Sequence, residues 1–211
     1  WEIKLEGMED SPEPSSELRT IDVDNSGRLY VGGWMCGQAY FAITTDCGEW
    51  QNRGGIVIKL DELDGTIEWG LSIDGANGYD IVYDLAIRSD GNVWAVGLFR
   101  DSAFFEGVMY NTSGRYDGFV GLINTSNGNF DWVRTIGSQS HNELDNATSV
   151  KVDEDDNALV VGTYSDNAGN TFGASQIMPV GKPTATYVLN LSSSNAVNWV
   201  AGISGSQNGE P

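Results

Sequence analysis

Leu85-Ala86-Ile87-Arg88-Ser89-Asp90-Gly91-Asn92-Val93-Trp94-Ala95-Val96-Gly97 reads as a short alternating strand, a turn, and a more apolar strand closed by glycine. The same order stands 64 residues upstream, without a gap, as Ile21-Asp22-Val23-Asp24-Asn25-Ser26-Gly27-Arg28-Leu29-Tyr30-Val31-Gly32-Gly33. A third copy is Val150-Lys151-Val152-Asp153-Glu154-Asp155-Asp156-Asn157-Ala158-Leu159-Val160-Val161-Gly162. Repetition at this period marks an array of one supersecondary unit.

A second hairpin follows each copy. Ile56-Val57-Ile58-Lys59-Leu60-Asp61 leads through Asp64-Gly65 to Ile67-Glu68-Trp69-Gly70-Leu71. Phe119–Asn124 leads through Asn127-Gly128 to Phe130–Arg134, and Tyr187–Leu191 leads through Asn195 to Val197–Val200. Asp-Gly and Asn-Gly suit a type I′ turn, in which both central residues need positive φ. The unit is therefore four antiparallel strands, a to d. Trp1–Gly7 matches Trp69–Gly75 and stands as an orphan strand d. Tryptophans recur at 1, 69, 132 and 199, with spacings of 68, 63 and 67.

Radial repetition of four-stranded antiparallel sheets is a β-propeller, with about four to eight blades to a ring. The expected fold is all-β: an incomplete ring of strand d plus three blades, as part of a longer protein or an arc completed by another chain. Residues 1–7 are the last strand of a preceding blade, followed by blades at 8–75, 76–138 and 139–205, with 206–211 opening the next connection. Trp1, Trp69, Trp132 and Trp199 are the expected blade-packing residues.

Composition narrows the function classes. The chain has 211 residues, 30 Asp+Glu against 11 Lys+Arg, and a net charge of −19. No basic face exists to neutralise phosphates, which argues against nucleic-acid binding. A hydrophobic fraction of 40% supplies a core and excludes a wholly disordered acidic tail. No apolar run approaches the roughly 18 residues of a membrane helix.

Cys36 and Cys47 are expected to form a disulfide, the alternative being two free thiols. With His141 far away in sequence, two cysteines cannot hold a structural zinc. Four Asn-x-Ser/Thr sequons fall at Asn111, Asn124, Asn146 and Asn190. Asn124, beside a tight turn, is the best glycosylation candidate.

Asp117-Gly118-Phe119-Val120-Gly121-Leu122 with Gly128-Asn129-Phe130-Asp131-Trp132-Val133-Arg134-Thr135-Ile136-Gly137 resembles the bacterial-type seven-bladed β-propeller repeat family. Val82–Ile87 and Ser89–Gly97 are similar to that family's next strands. The likeness covers nearly the whole chain and is strongest in the second repeat. In the third, Asp156-Asn157 replaces the turn glycine. The family is mainly extracellular or surface-associated and shares no catalytic residues, so the resemblance implies fold and location more than activity. Asp61, Gly65 and Trp69, and likewise Asn124, Gly128 and Trp132, also resemble the tryptophan docking motif of quinoprotein propellers. That likeness implies tryptophans packed between neighbouring blades.

In such a fold the a–b and c–d connections share one end of the blades, and here they are tight turns. The longer b–c connections, roughly 34–54, 99–116 and 164–183, lie at the other end with acidic d–a segments at 6–17 and 141–145. Elaborated loops carry binding more often than the scaffold does. The candidates for an interaction face are Trp34, Tyr40, Trp50, Tyr110 and Tyr116, as partner anchors or sugar-stacking rings. Phe104 and Phe105 are expected to pack inside. Asp22–Gly27 and Asp153–Asn157 start like a calcium loop, but position 12 from Asp22 is Gly33 rather than glutamate, so a plain turn is preferred. Calcium stays a minor alternative, with no other cofactor or metal expected.

No nucleophile elbow, phosphate loop or metal-ligand cluster is present, and no catalytic residue is assigned. The expectation is a non-catalytic extracellular or cell-surface segment, structural or protein-binding, within a larger surface or filament-type assembly. Its partners would be further blades of the same chain or other protein subunits. A carbohydrate-binding propeller is the alternative, and a propeller enzyme of glycosidase or quinoprotein type the second alternative.

Overall fold

The computed structural model describes residues 16–38, 44–45, 53–75, 78–137, 144–165 and 184–203. Among them the structure is all-β and antiparallel. The first unit is β1 (Ser16–Val23), β2 (Leu29–Met35), β5 (Gly54–Leu60) and β6 (Ile67–Asp74), with β3 (Gly37–Gln38) and β4 (Thr44–Thr45) as a small separate pair. The second is β7 (Ile81–Ile87), β8 (Val93–Phe105), β9 (Val108–Asn124) and β10 (Asn129–Ile136). The third is β11 (Asn146–Val152), β12 (Ala158–Ser165), β13 (Thr184–Leu191) and β14 (Val197–Ile203). Each unit pairs its four strands in chain order.

The repeat extends to backbone irregularities. The first strand of each unit changes register at Leu18/Thr20, Val82/Asp84 and Ala147/Ser149. A bulge re-aims the side chains beside it, and here those side chains are Thr20, Asp84 and Ser149.

Three sequence expectations are corrected. First, the c–d turns are not type I′. Only Gly65, Gly128 and Asn195 have positive φ there, and in the first unit Asp61 N–H donates to Thr66 O across a four-residue loop. The type I′ pattern sits instead at Glu106-Gly107, with φ of 52° and 75°. Second, the b–c connection at 99–116 is not a loop. β8 and β9 run on through it as a hairpin, kinked where Asp101 takes a φ of 56°. Third, the units are not separate sheets throughout. The hairpin tip pairs with β6, Ile73 opposite Phe105 and Asp74 opposite Phe104, merging the first two units into one sheet.

The core is formed largely between units. Tyr30, Val57, Leu71 and Ile73 of the first unit pack against Leu85, Ala95, Phe99, Phe119 and Ile123 of the second. Trp94, Val96, Val120 and Ile136 on the opposite face of the second unit pack against Val150, Val160, Tyr187 and Leu189 of the third. Phe105 anchors the hairpin, with its ring centroid 5.2–5.6 Å from those of Phe99, Tyr110, Phe119 and Phe130. Such edge-to-face contacts add to what burial alone gives.

Candidate interaction surface

The inter-unit contacts are built twice from the same positions. Trp69 Nε1 donates to the Thr125 carbonyl at 3.1 Å, and Trp132 Nε1 donates to the Ser193 carbonyl at 2.8 Å. In both cases the tryptophan of a last strand reaches the c–d turn of the next unit. The turn glycine makes room for it: a Cβ on Gly128 would lie 3.0 Å from the Trp69 ring. Arg134 reinforces the second contact, donating at 2.7 Å to both the side-chain and main-chain oxygens of Asn195. On the first strands, Asp84 accepts from Thr20 Oγ1 at 2.9 Å and from Ser149 Oγ at 2.7 Å.

The three aromatic candidates among the described residues pack wholly or partly against their own unit. Trp34 is buried, donates from Nε1 to Glu17 at 3.0 Å, and lies 4.0 Å below the Arg53 guanidinium. It is not an exposed anchor. Tyr110 is half-buried against Phe105. Tyr116 is half-buried edge-on to Tyr79, with Arg100 and Arg115 near its face. Phe105 is buried as expected, whereas Phe104 is exposed at the hairpin tip. The tip strands alternate, so Phe104 faces out beside its cross-strand partner Met109. Tyr40, Trp50, Cys47 and Trp1 lie outside the described residues. Cys36 directly follows β2, and no free cysteine occurs among the described residues.

The sequon asparagines differ in exposure. Asn146 and Asn190 are buried, and their side-chain amides are hydrogen-bonded within the third unit. Asn146 Oδ1 accepts from the Thr163 amide at 3.0 Å, and Asn190 Nδ2 donates to Asp153 at 2.8 Å. Asn111 is exposed and Asn124 half-exposed.

The acidic a–b turns spend their carboxylates on their own backbones. Asp24 Oδ1 accepts from the Ser26 and Arg28 amides, and Asp153 Oδ1 from the Asp155 and Asn157 amides. A polar groove of about 350 Å³ lies between the a–b turns of the first and second units, lined by Asp22–Ser26 and Ile87–Gly91.

Sequence reading missed the buried acids at the opposite end. Asp80 and Asp145 each precede the first strand of a unit and are buried, so Asp145 does not belong to an acidic surface loop. Asp80 Oδ1 accepts the Arg100 amide at 3.0 Å, and Asp145 Oδ1 the Ser165 amide at 2.6 Å. Their spacing of 65 matches the repeat and was the available signal. Burial, abetted by the nearby charges of Asp74 and Asp101, pushes the Asp80 carboxyl up to about 8. Asp117 rises to about 6, mainly through burial and then through the charge of Asp145.

On the third unit, Trp199, Val161 and Ile203 are exposed on the side that the first two units use to receive their successors. No protein-family model matches this chain, and no curated protein matches it.

Proposed function

We propose that the chain is a segment of a β-propeller that serves as a structural and protein-binding module of a larger extracellular assembly. The observation that carries this reading is the twice-repeated seating of a last-strand tryptophan on the next unit's turn. A contact that is transferable from unit to unit builds an array, and radial arrays of four-stranded sheets form propellers. The resemblance to the bacterial-type propeller repeat gives the extracellular placement, and a disulfide from Cys36 to Cys47 would suit that compartment. Burial of Trp34 inside the first unit favours this reading over the carbohydrate-binding alternative.

Intact mass of the natively expressed protein, measured before and after enzymatic deglycosylation and again after reduction and alkylation, tests the placement. Loss of glycan mass and protection of both cysteines from alkylation until reduction are expected. An unmodified chain with two freely alkylated thiols would overturn it.

A further inference from the structure

With 30 Asp+Glu against 11 Lys+Arg, a local excess of positive charge is the exception on this chain. One such excess gathers where β1 and β7 begin. The bulges of the first strands leave Arg19, Tyr83 and Thr148 without a cross-strand partner. The first two of these meet, the Arg19 guanidinium lying 5.4 Å from the centroid of the Tyr83 ring. Beside them Arg53 is bridged to Tyr79 through the main chain. Its guanidinium lies 4.0 Å from the Trp34 ring centroid and 5.0 Å from that of Tyr79. Tyr79 stands edge-on to Tyr116 at 6.1 Å, and Arg115 lies 5.4 Å from the Tyr116 ring. Burial raises the pKa of the Tyr83 hydroxyl while the charges of Arg19 and Arg53 both lower it, so the two guanidiniums act on one ring. Arg19 is paired with Glu17 at 3.0 Å. Arg53 and Arg115 form no ion pair among the described residues.

We infer that this patch binds an acidic peptide segment of a protein partner, with Arg19, Arg53 and Arg115 receiving its carboxylates and Tyr79, Tyr83 and Tyr116 framing them. The inference rests on the protein-binding reading above. Charge complementarity selects the ligand, because a guanidinium offers a carboxylate a rigid fork of donors. Stacking against Trp34 and Tyr79 holds the plane of Arg53 and leaves its edge to donate, so less side-chain freedom is lost on binding. The half-buried tyrosines add contact area at a low entropy cost. Acidic surface elsewhere repels such a segment and so confines it to this one place. At physiological salt, charges beyond about 8 Å are largely screened, and a seated segment feels the arginines rather than distant carboxylates. An acidic saccharide presents carboxylates too, but it stacks on open ring faces. Here guanidiniums lie over the faces of Trp34, Tyr83 and Tyr116.

Titration calorimetry of the full 211-residue chain with an oligoglutamate peptide tests this, with oligoglutamine as the uncharged control and oligogalacturonate as the acidic saccharide. Oligoglutamate is expected to bind, oligoglutamine not to, and the affinity to fall as salt is raised. The double variant Arg19→Ala, Arg115→Ala should weaken binding about tenfold, and circular dichroism checks that it keeps its fold. Lys151→Ala removes one exposed charge on β11 outside the patch and should leave binding unchanged. Absence of oligoglutamate binding would overturn the inference. So would an equal loss with Lys151→Ala, which would mean that only overall charge matters. Oligogalacturonate binding as tightly as oligoglutamate, or more tightly, would reassign the patch to an acidic glycan. None of these results bears on glycan mass or thiol protection, so failure here stays separate from failure of the placement.

Discussion

Thr20 and Asp84 stand 64 residues apart in sequence, yet Thr20 Oγ1 donates to Asp84 Oδ1 at 2.9 Å. The other Asp84 oxygen accepts from Ser149 Oγ at 2.7 Å and from the Val150 amide at 3.0 Å. One carboxylate thus joins the first strands of all three units. Asp84→Ala leaves these donors facing an empty site, and hydrogen bonds to a charged group contribute about 1.5–3 kcal/mol each. A loss of about 3 kcal/mol in urea unfolding is expected. A loss below about 0.5 kcal/mol, the range of an ordinary surface change, would remove Asp84 from this role.

Gly128 and Gly91 both have positive φ, of 76° and 85°, but only Gly128 lies under a tryptophan. Alanine at Gly91 meets nothing within 4 Å and pays for backbone strain alone. Alanine at Gly128 must also displace Trp69. Gly128→Ala should therefore be more destabilising than Gly91→Ala by about 1 kcal/mol or more. Equal effects in thermal melts would show that the Trp69 seat contributes nothing.

Asp80 sets the direction of a pH dependence. Its folded-state pKa of about 8 lies above the ordinary carboxylate value, so the folded chain holds this proton more tightly than the unfolded chain. The resulting stabilisation is complete below about pH 4, the unfolded value, and is lost as pH rises through about 8. Asp117, raised to about 6, acts in the same direction over a narrower window. Asp80→Asn keeps an acceptor for the Arg100 amide and removes the titration. The variant should melt higher than the parent at pH 8 and nearly with it at pH 4.5. A parallel offset at both values would rule out titration of Asp80 as the cause.

Burial divides the sequons. Glycopeptide mapping should find sugar at Asn111 or Asn124 and none at Asn146 or Asn190, whose amides are hydrogen-bonded inside the sheets. Occupancy at Asn190 would mean that the third unit is not packed as described.

Strand order and the inter-unit tryptophans were legible because alternation, turn glycines and tryptophan spacing repeat with little insertion. The hairpin of β8 and β9 was not. Its turn is Glu106-Gly107, and a glutamate with positive φ is not a turn signal that composition supplies. Nor could chain order tell that Trp34 would fold under Arg53, since that contact depends on where residue 53 returns in space. Asp80 and Asp145 were hidden for a different reason: in an acidic chain two more aspartates are unremarkable until burial singles them out.

The central claim is that these units are consecutive sectors about one axis, with β1, β7 and β11 innermost. A cryo-electron microscopy or crystal structure of the assembled protein tests it most directly. The account predicts a closed ring of four-stranded units in which Trp199 is buried against a c–d turn. Sheets stacked without a common axis, with Trp199 still in solvent, would contradict it.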